Sequence, residues 1–176
     1  MHRLADQLSE ALSAFVGVSP APALIGGLAL AAHKVVRATR DIDFLANADD
    51  ADLLHSRLLA LGYRCIHRSA DAANYLRADE GLDLLYAHRP QARQLLAEAT
   101  ERETQWGRVR VIGAEGLIGF KLQGFVNSPE RVRDLDDIRA LLRANRGQLD
   151  LAKIRGYFGL FDREGLFDEL LADSGS

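Results

Sequence analysis

The chain has 176 residues, 48% of them apolar and 27% charged, with a formal net charge of −3. That is the length of one domain with a real core and room for a small helical extension, in the composition range of ordinary globular proteins. The balance excludes a global basic field of the kind that marks many nucleic-acid binders, and no apolar run approaches the roughly 20 residues of a membrane helix.

Residues 3 to 15 place Leu4, Leu8, Leu12 and Phe15 at helical spacing, which predicts an amphipathic helix. Gly17 to Pro22 breaks it. Ala23-Leu24-Ile25 reads as a short strand, Gly26-Gly27 as a turn, and Leu28 to Lys34 as an alanine-rich helix. A basic loop, Arg37-Ala38-Thr39-Arg40, leads into a second strand, Asp41 to Leu45. Asn47 to Asp50 suits a helix start, and a helix is expected over 51–61 with Leu53, Leu54, Leu58 and Leu61 inside and Gly62 as its stop.

Short strands are expected at 63–67, 74–77 and 82–86, with Asp79-Glu80-Gly81 as a turn. Cys65, the only cysteine, has no disulfide partner or zinc-type spacing and reads as a buried core thiol. Pro90 opens a helix to about Thr100, and 106–112 reads as a strand with Val109 and Val111 on one face. Four helical segments follow, at 116–125, 129–145, 151–158 and 163–172, with Asp162 as N-cap of the last and a fraying DSGS tail. The expected organisation is an α+β sheet module over 1–113 and a helical module over 114–176 packed on it. The N-terminus carries no secretory signal pattern, so a cytoplasmic location is expected.

Three aspartates stand out. Strand side chains alternate, so Asp41 and Asp43 point the same way, with Cα atoms about 6–7 Å apart. Two carboxylates that close repel unless a cation joins them, and a hard oxygen-seeking ion such as Mg²⁺ meets that need. Asp83 adds a third acid inside an apolar strand.

The ordered series LIGGLALAAH (24–33), RATRDIDF (37–44), LDLL (82–85), LIGFKL (117–122) and RDLDDI (133–138) resembles the nucleotidyltransferase superfamily with a polymerase-beta-like palm. Within it, the series is most similar to the AbiEii-type or toxin-type (MenA-like) branch. The resemblance runs from about residue 20 to residue 142. It implies a Mg²⁺-dependent enzyme that moves a nucleoside monophosphate from an NTP to an acceptor hydroxyl. By the same resemblance, Asp41, Asp43 and Asp83 hold two Mg²⁺ ions and Asp83 also helps activate the attacking hydroxyl. Gly26 and Gly27 take the place of the triphosphate turn, and glycine lets the backbone approach phosphate closely. Arg37, Thr39, Arg40, Lys121, Arg133 and Asp134 fall at the remaining nucleotide-binding positions.

Two departures accompany it. Many members carry Ser where this chain has Gly27, and Arg133 stands where Lys is commoner, which keeps the charge and changes the geometry. The toxin-type branch implies a tRNA 3′ end or a protein hydroxyl as acceptor and a cognate antitoxin as partner.

Other residues compete with plainer readings. His33 reads first as a hydrogen-bonded structural histidine. Lys121 either snorkels from an apolar helix or reaches a phosphate. Asp134 and Asp137, three apart on a helix, serve ion pairs or the site equally well. Tyr75 and Trp106 read as core or rim. Two other functions are weighed: a non-catalytic regulatory or partner-binding module on the same fold, and a glycosyltransferase using Asp-x-Asp. The latter leaves the Gly-Gly turn unexplained.

Overall fold

The structure is a computed structural model and describes residues 2–175. It is an α+β fold whose strands form one seven-stranded mixed sheet, with eight α-helices among the described residues. The strands are β1 (Ala23–Ile25), β2 (Ile42–Asn47), β3 (Arg64–Arg68), β4 (Ala72–Arg77), β5 (Glu80–Ala87), β6 (Thr100–Thr104) and β7 (Gly107–Val111). Their order is β3-β4-β5-β2-β1-β7-β6. The helices are α1 (His2–Ser13), α2 (Gly26–Ala32), α3 (Ala51–Ala60), α4 (Pro90–Glu98), α5 (Ala114–Asn127), α6 (Val132–Ala144), α7 (Leu151–Gly159) and α8 (Glu164–Asp173). None is long and apolar enough to cross a membrane.

The chain divides into two compact units. One comprises Met1–Ala29 with Ala38–Ile112, the other Leu30–Arg37 with Gly113–Ser176. In the first, β2 runs parallel to β5 and antiparallel to β1 at the centre of the sheet. Both faces of β2 are largely covered, as a central strand requires. Phe44 meets Phe15 edge to face, with ring centroids 4.8 Å apart. Alternation therefore turns Asp43 to the opposite face. In the second unit, Leu117, Ile118, Leu122, Ile138, Leu141, Ile154, Phe158 and Phe167 are buried, and the Phe158 and Phe167 rings stack at 5.0 Å.

Several expectations need correction. The Gly-Gly pair is not a free turn: α2 begins at Gly26 itself, entered through a left-handed φ of +65°. The β4–β5 turn is Ala78-Asp79, because Glu80 and Gly81 already belong to β5. The strand β6 was missed, for its sequence TERET has no apolar alternation. It is held by pairing with β7, where Arg108 Nε stands 3.0 Å from Glu101.

Leu53 is 44% exposed while Leu54 and Leu58 are buried. Cys65 lies half-buried on edge strand β3, its thiol donating to the His67 carbonyl, so it is no core thiol. Asp162 does not cap α8; Arg163 takes that place without a side-chain bond, and Asp162 has φ +55°. The tail does not fray at Ser174, which is buried and donates from Oγ to Leu171 O at 2.7 Å. Ser176 lies outside the described residues.

Candidate functional site

Sheet register builds the site in the first unit. Asp43 on β2 pairs with Asp83 on β5, and Asp83 pairs in turn with Asn74 on β4. On the other side Asp43 pairs with Ile25, the residue before Gly26. Neighbouring strands lie about 4.8 Å apart, so one row across four strands sets Asn74, Asp83 and Asp43 side by side and ends at the head of α2. Asp41 precedes the first residue of β2 and is exposed; Asp43 and Asp83 are half-buried.

Three glycines make room for this row. A Cβ on Gly26 would lie 2.1 Å from Asp43 Oδ2 and 3.0 Å from its Cβ, so the Asp43 carboxylate rests directly on the Gly26 backbone. A Cβ on Gly81 would lie 2.2 Å from Asp41 Oδ1, so Asp41 occupies the space that Gly81 leaves. On Gly27 it would lie 2.7 Å from Thr39 Cβ and 2.9 Å from Thr39 Oγ1. Thr39 Oγ1 donates to the Asp41 carbonyl at 3.1 Å.

Asp83 is electrostatically perturbed by its surroundings. Burial pushes the Asp83 carboxyl above its ordinary range; the Asn74 amide, whose Nδ2 donates to Asp83 Oδ1 at 2.8 Å, pulls it partly back. The negative charge of Asp41 pushes it up further. The Asp41 charge thus acts on Asp83 as a neighbouring carboxylate does. The hard oxygens of Asp43 and Asp83 on paired strand positions, with Asp41 just before β2, suit a divalent cation such as Mg²⁺. Among the described residues, no three His, Cys, Asp or Glu side chains are already converged into a cage. Each carboxylate instead rests on its own neighbour: Gly26, Gly81 or Asn74.

The remaining nucleotide-binding expectations divide between the units. Arg40 is exposed in the first. Arg37, Lys121, Arg133 and Asp134 belong to the second. There Lys121 Nζ donates to Asp134 Oδ1 at 3.2 Å and stands 2.9 Å from Asp137 Oδ2, the same oxygen that Arg37 engages. Asp134 is 3% exposed. Arg131 Nε lies 3.0 Å from Asp134 Oδ2, an ion pair out of line for a hydrogen bond, so that buried oxygen has no hydrogen-bond donor among the described residues. Gly124, without a side chain, leaves space for it.

Asp134 and Asp137 thus form ion pairs, while Arg133 is exposed on α6. His33 is buried, and its carbonyl accepts from Asn145 Nδ2 at 3.1 Å. Tyr75 is a core residue whose hydroxyl bonds His55 Nδ1 at 3.0 Å. Asn74 and Gly81 were read as strand and turn residues without a place in the site. Counting the β4–β5 register outward from an Ala78-Asp79 turn places Asn74 opposite Asp83.

The chain superposes over nearly its whole length on an antibiotic-resistance factor. The solution structure of the antibiotic-resistance factor ANT(2'')-Ia matches with a TM-score of 0.68 at 19% identity, covering 96% of each chain. The crystal structure of ANT(2'')-Ia in complex with adenylyl-2''-tobramycin matches with a TM-score of 0.66 at 18% identity, over 90% of this chain and 99% of that one. This chain has a nucleotidyltransferase fold. An antigenic nucleotidyltransferase-like protein from Paracoccidioides brasiliensis shares that fold with a TM-score of 0.54 at 17% identity, over 94% of this chain and 91% of its own. No sequence-family model matches the chain, and no curated protein matches it.

Proposed function

We propose that this protein is a nucleotidyltransferase that moves a nucleoside monophosphate from an NTP to an acceptor hydroxyl and releases pyrophosphate. The observation that carries the reading is the register row: Asp43 and Asp83 are side by side on parallel central strands, with Asp41 beside Gly81 and the row ending at Gly26. Asp41, Asp43 and Asp83 are the residues that would hold Mg²⁺, which when bound supplies charge neutralisation at the phosphates. In the transfer, the acceptor oxygen forms a bond to the α-phosphorus and the bond from that phosphorus to the bridging β-phosphate oxygen breaks. Asp83 suits the general base. Its burial raises its proton affinity, and with Oδ1 held by Asn74 its Oδ2 takes the acceptor proton. The backbone N–H groups at the head of α2, which begins at Gly26, suit an anionic triphosphate, and Arg40 adds positive charge within the same unit.

The acceptor is best read as a small cationic molecule rich in hydroxyls. Two observations support this: full-length likeness to ANT(2'')-Ia, solved with an adenylylated aminoglycoside, and a net charge of −3, which disfavours extended contact with an RNA backbone. The second reading, a tRNA 3′ end or protein hydroxyl with a cognate antitoxin, rests on the motif series alone. Radiolabelled NTPs with Mg²⁺ and, in separate reactions, an aminoglycoside panel, total tRNA and whole-cell protein test both. Label on any acceptor that disappears in Asp43→Asn supports the enzyme. No transfer and no Mg²⁺-dependent NTP binding sinks it in favour of a non-catalytic module.

A further inference from the structure

Asp43 and Asp83 are fixed by strand pairing, but Asp41 lies outside the ladder, which begins at Ile42. Its carboxylate is exposed and needs another means of being held where Gly81 makes room for it. The neighbouring threonine supplies one. Thr39 packs flush on the backbone of Gly27, closer than any Cβ there would allow. A β-branched side chain in such contact has little choice of χ1. That fixes the direction of Oγ1, which donates to the Asp41 carbonyl at 3.1 Å. A hydroxyl has one proton to donate, and this one is engaged by the protein itself. The hydroxyl therefore has no donor left for a phosphate oxygen, so the nucleotide-contact role implied by the motif resemblance does not suit Thr39.

We propose that Thr39 is the positioning residue for Asp41: wedged on the bare backbone of Gly27, it holds the Asp41 carbonyl and so sets the Asp41 carboxylate into the space over Gly81. The two glycines act as sockets at either end of one short segment, Gly27 receiving Thr39 and Gly81 receiving Asp41. This explains why residue 27 is glycine: serine there would collide with Thr39. The proposal rests on the nucleotidyltransferase reading for its catalytic consequence and on geometry alone for its structural one.

The test compares Thr39→Val, which keeps the shape and removes the hydroxyl, with Thr39→Ser, which keeps the hydroxyl. Both are made in the full chain and checked for folding by thermal melting. By NMR, Thr39→Val shifts the Asp41 carbonyl ¹³C resonance and lowers the ¹⁵N heteronuclear NOE of the Arg40 and Asp41 amides; Thr39→Ser preserves both. In the transfer assay Thr39→Val lowers kcat on the order of a hundredfold, the scale of a small misplacement in a reacting site, with KM for NTP unchanged, and Thr39→Ser restores most of it. Unchanged NMR parameters in Thr39→Val overturn the proposal. So does a raised KM with kcat intact, which would make Thr39 a nucleotide contact. If the wild-type chain transfers nothing, the functional reading falls, and the NMR comparison still decides whether Thr39 positions Asp41.

Discussion

Replacing Gly26 with alanine tests the placement of Asp43 directly. Gly26 has φ +65°, a conformation that costs an L-residue roughly 1–2 kcal/mol. The new methyl would lie 2.1 Å from Asp43 Oδ2 and 2.7 Å from its Cγ. Rotating the carboxylate away does not clear the site, because Asp43 Cβ itself is only 3.0 Å distant. The backbone must shift too, an overpacking cost of about 1–3 kcal/mol. Together these give roughly 2–5 kcal/mol, and for a chain of this size each kcal/mol lowers the Tm by about 2–4 °C.

Gly17→Ala is the matched control. Its φ is +78° but nothing lies within 4 Å of a Cβ there, so it carries the conformational cost without the clash. Differential scanning calorimetry of both variants, with transfer rates from the same preparations, separates the effects. Gly26→Ala is expected to melt several degrees below Gly17→Ala and to lose transfer, while Gly17→Ala keeps it. Equal melting of the two, with wild-type turnover in Gly26→Ala, would refute the contact between Gly26 and Asp43 and with it the proposed site.

Gly81→Ala separates stability from activity: its φ is not in the left-handed region and only the exposed Asp41 side chain stands in the way, so the Tm should hold or rise slightly while kcat falls. Asp83→Asn carries a pH signature. Because burial raises the folded-state pKa of Asp83 above its unfolded value of 3.8, Asp83 stabilises the fold fully below pH 3.8, and that contribution is lost as pH rises through the folded pKa. Denaturant titrations in EDTA should therefore show Asp83→Asn more stable than wild type at neutral pH, with the gap closing in acid; a constant gap contradicts the burial argument. In the second unit, Lys121→Met leaves two buried carboxylates without their shared cation. The expected loss is on the order of 2–3 kcal/mol, below the full cost of stranding a buried charge because Arg37 and Arg131 remain. Urea denaturation measures it, and a loss under ~0.5 kcal/mol would mean the pairs are solvent-screened.

Period and punctuation made most elements legible. Strands and helices with an apolar face or a Gly or Pro boundary were found within a few residues: Ala23–Ile25, Ala51–Ala60, Pro90–Glu98 and the four C-terminal helices. TERET was invisible because its strand character comes from the partner strand and not from burial. In the site, the acids and the Gly-Gly pair were legible, since their types and order carry the signal. Their pairing was not. Gly26 with Asp43, Gly27 with Thr39 and Gly81 with Asp41 are contacts set by the register of strands distant in sequence. A turn centred on Glu80 puts Arg77 opposite Asp83 and hides Asn74.

The same limit explains why Lys121 could not be ranked from sequence. A lysine among Ile118, Phe120, Leu122 and Phe125 advertises a buried stem and says nothing about what meets its ammonium. The structure gives it two carboxylates, each shared with an arginine. Burying Asp134 and Asp137 is costly unless cations neutralise them, and Gly124 leaves room for the buried oxygen of Asp134 that finds no hydrogen-bond donor. Three cations against two acids leave one positive charge in excess within this group. An anionic ligand therefore need not displace Asp137 from Lys121; it can join the group through the half-exposed side of Arg37 or Arg131. On this reading the two aspartates set the direction of the Lys121 ammonium, and a phosphate brought to this group would meet its excess charge, not Lys121 alone.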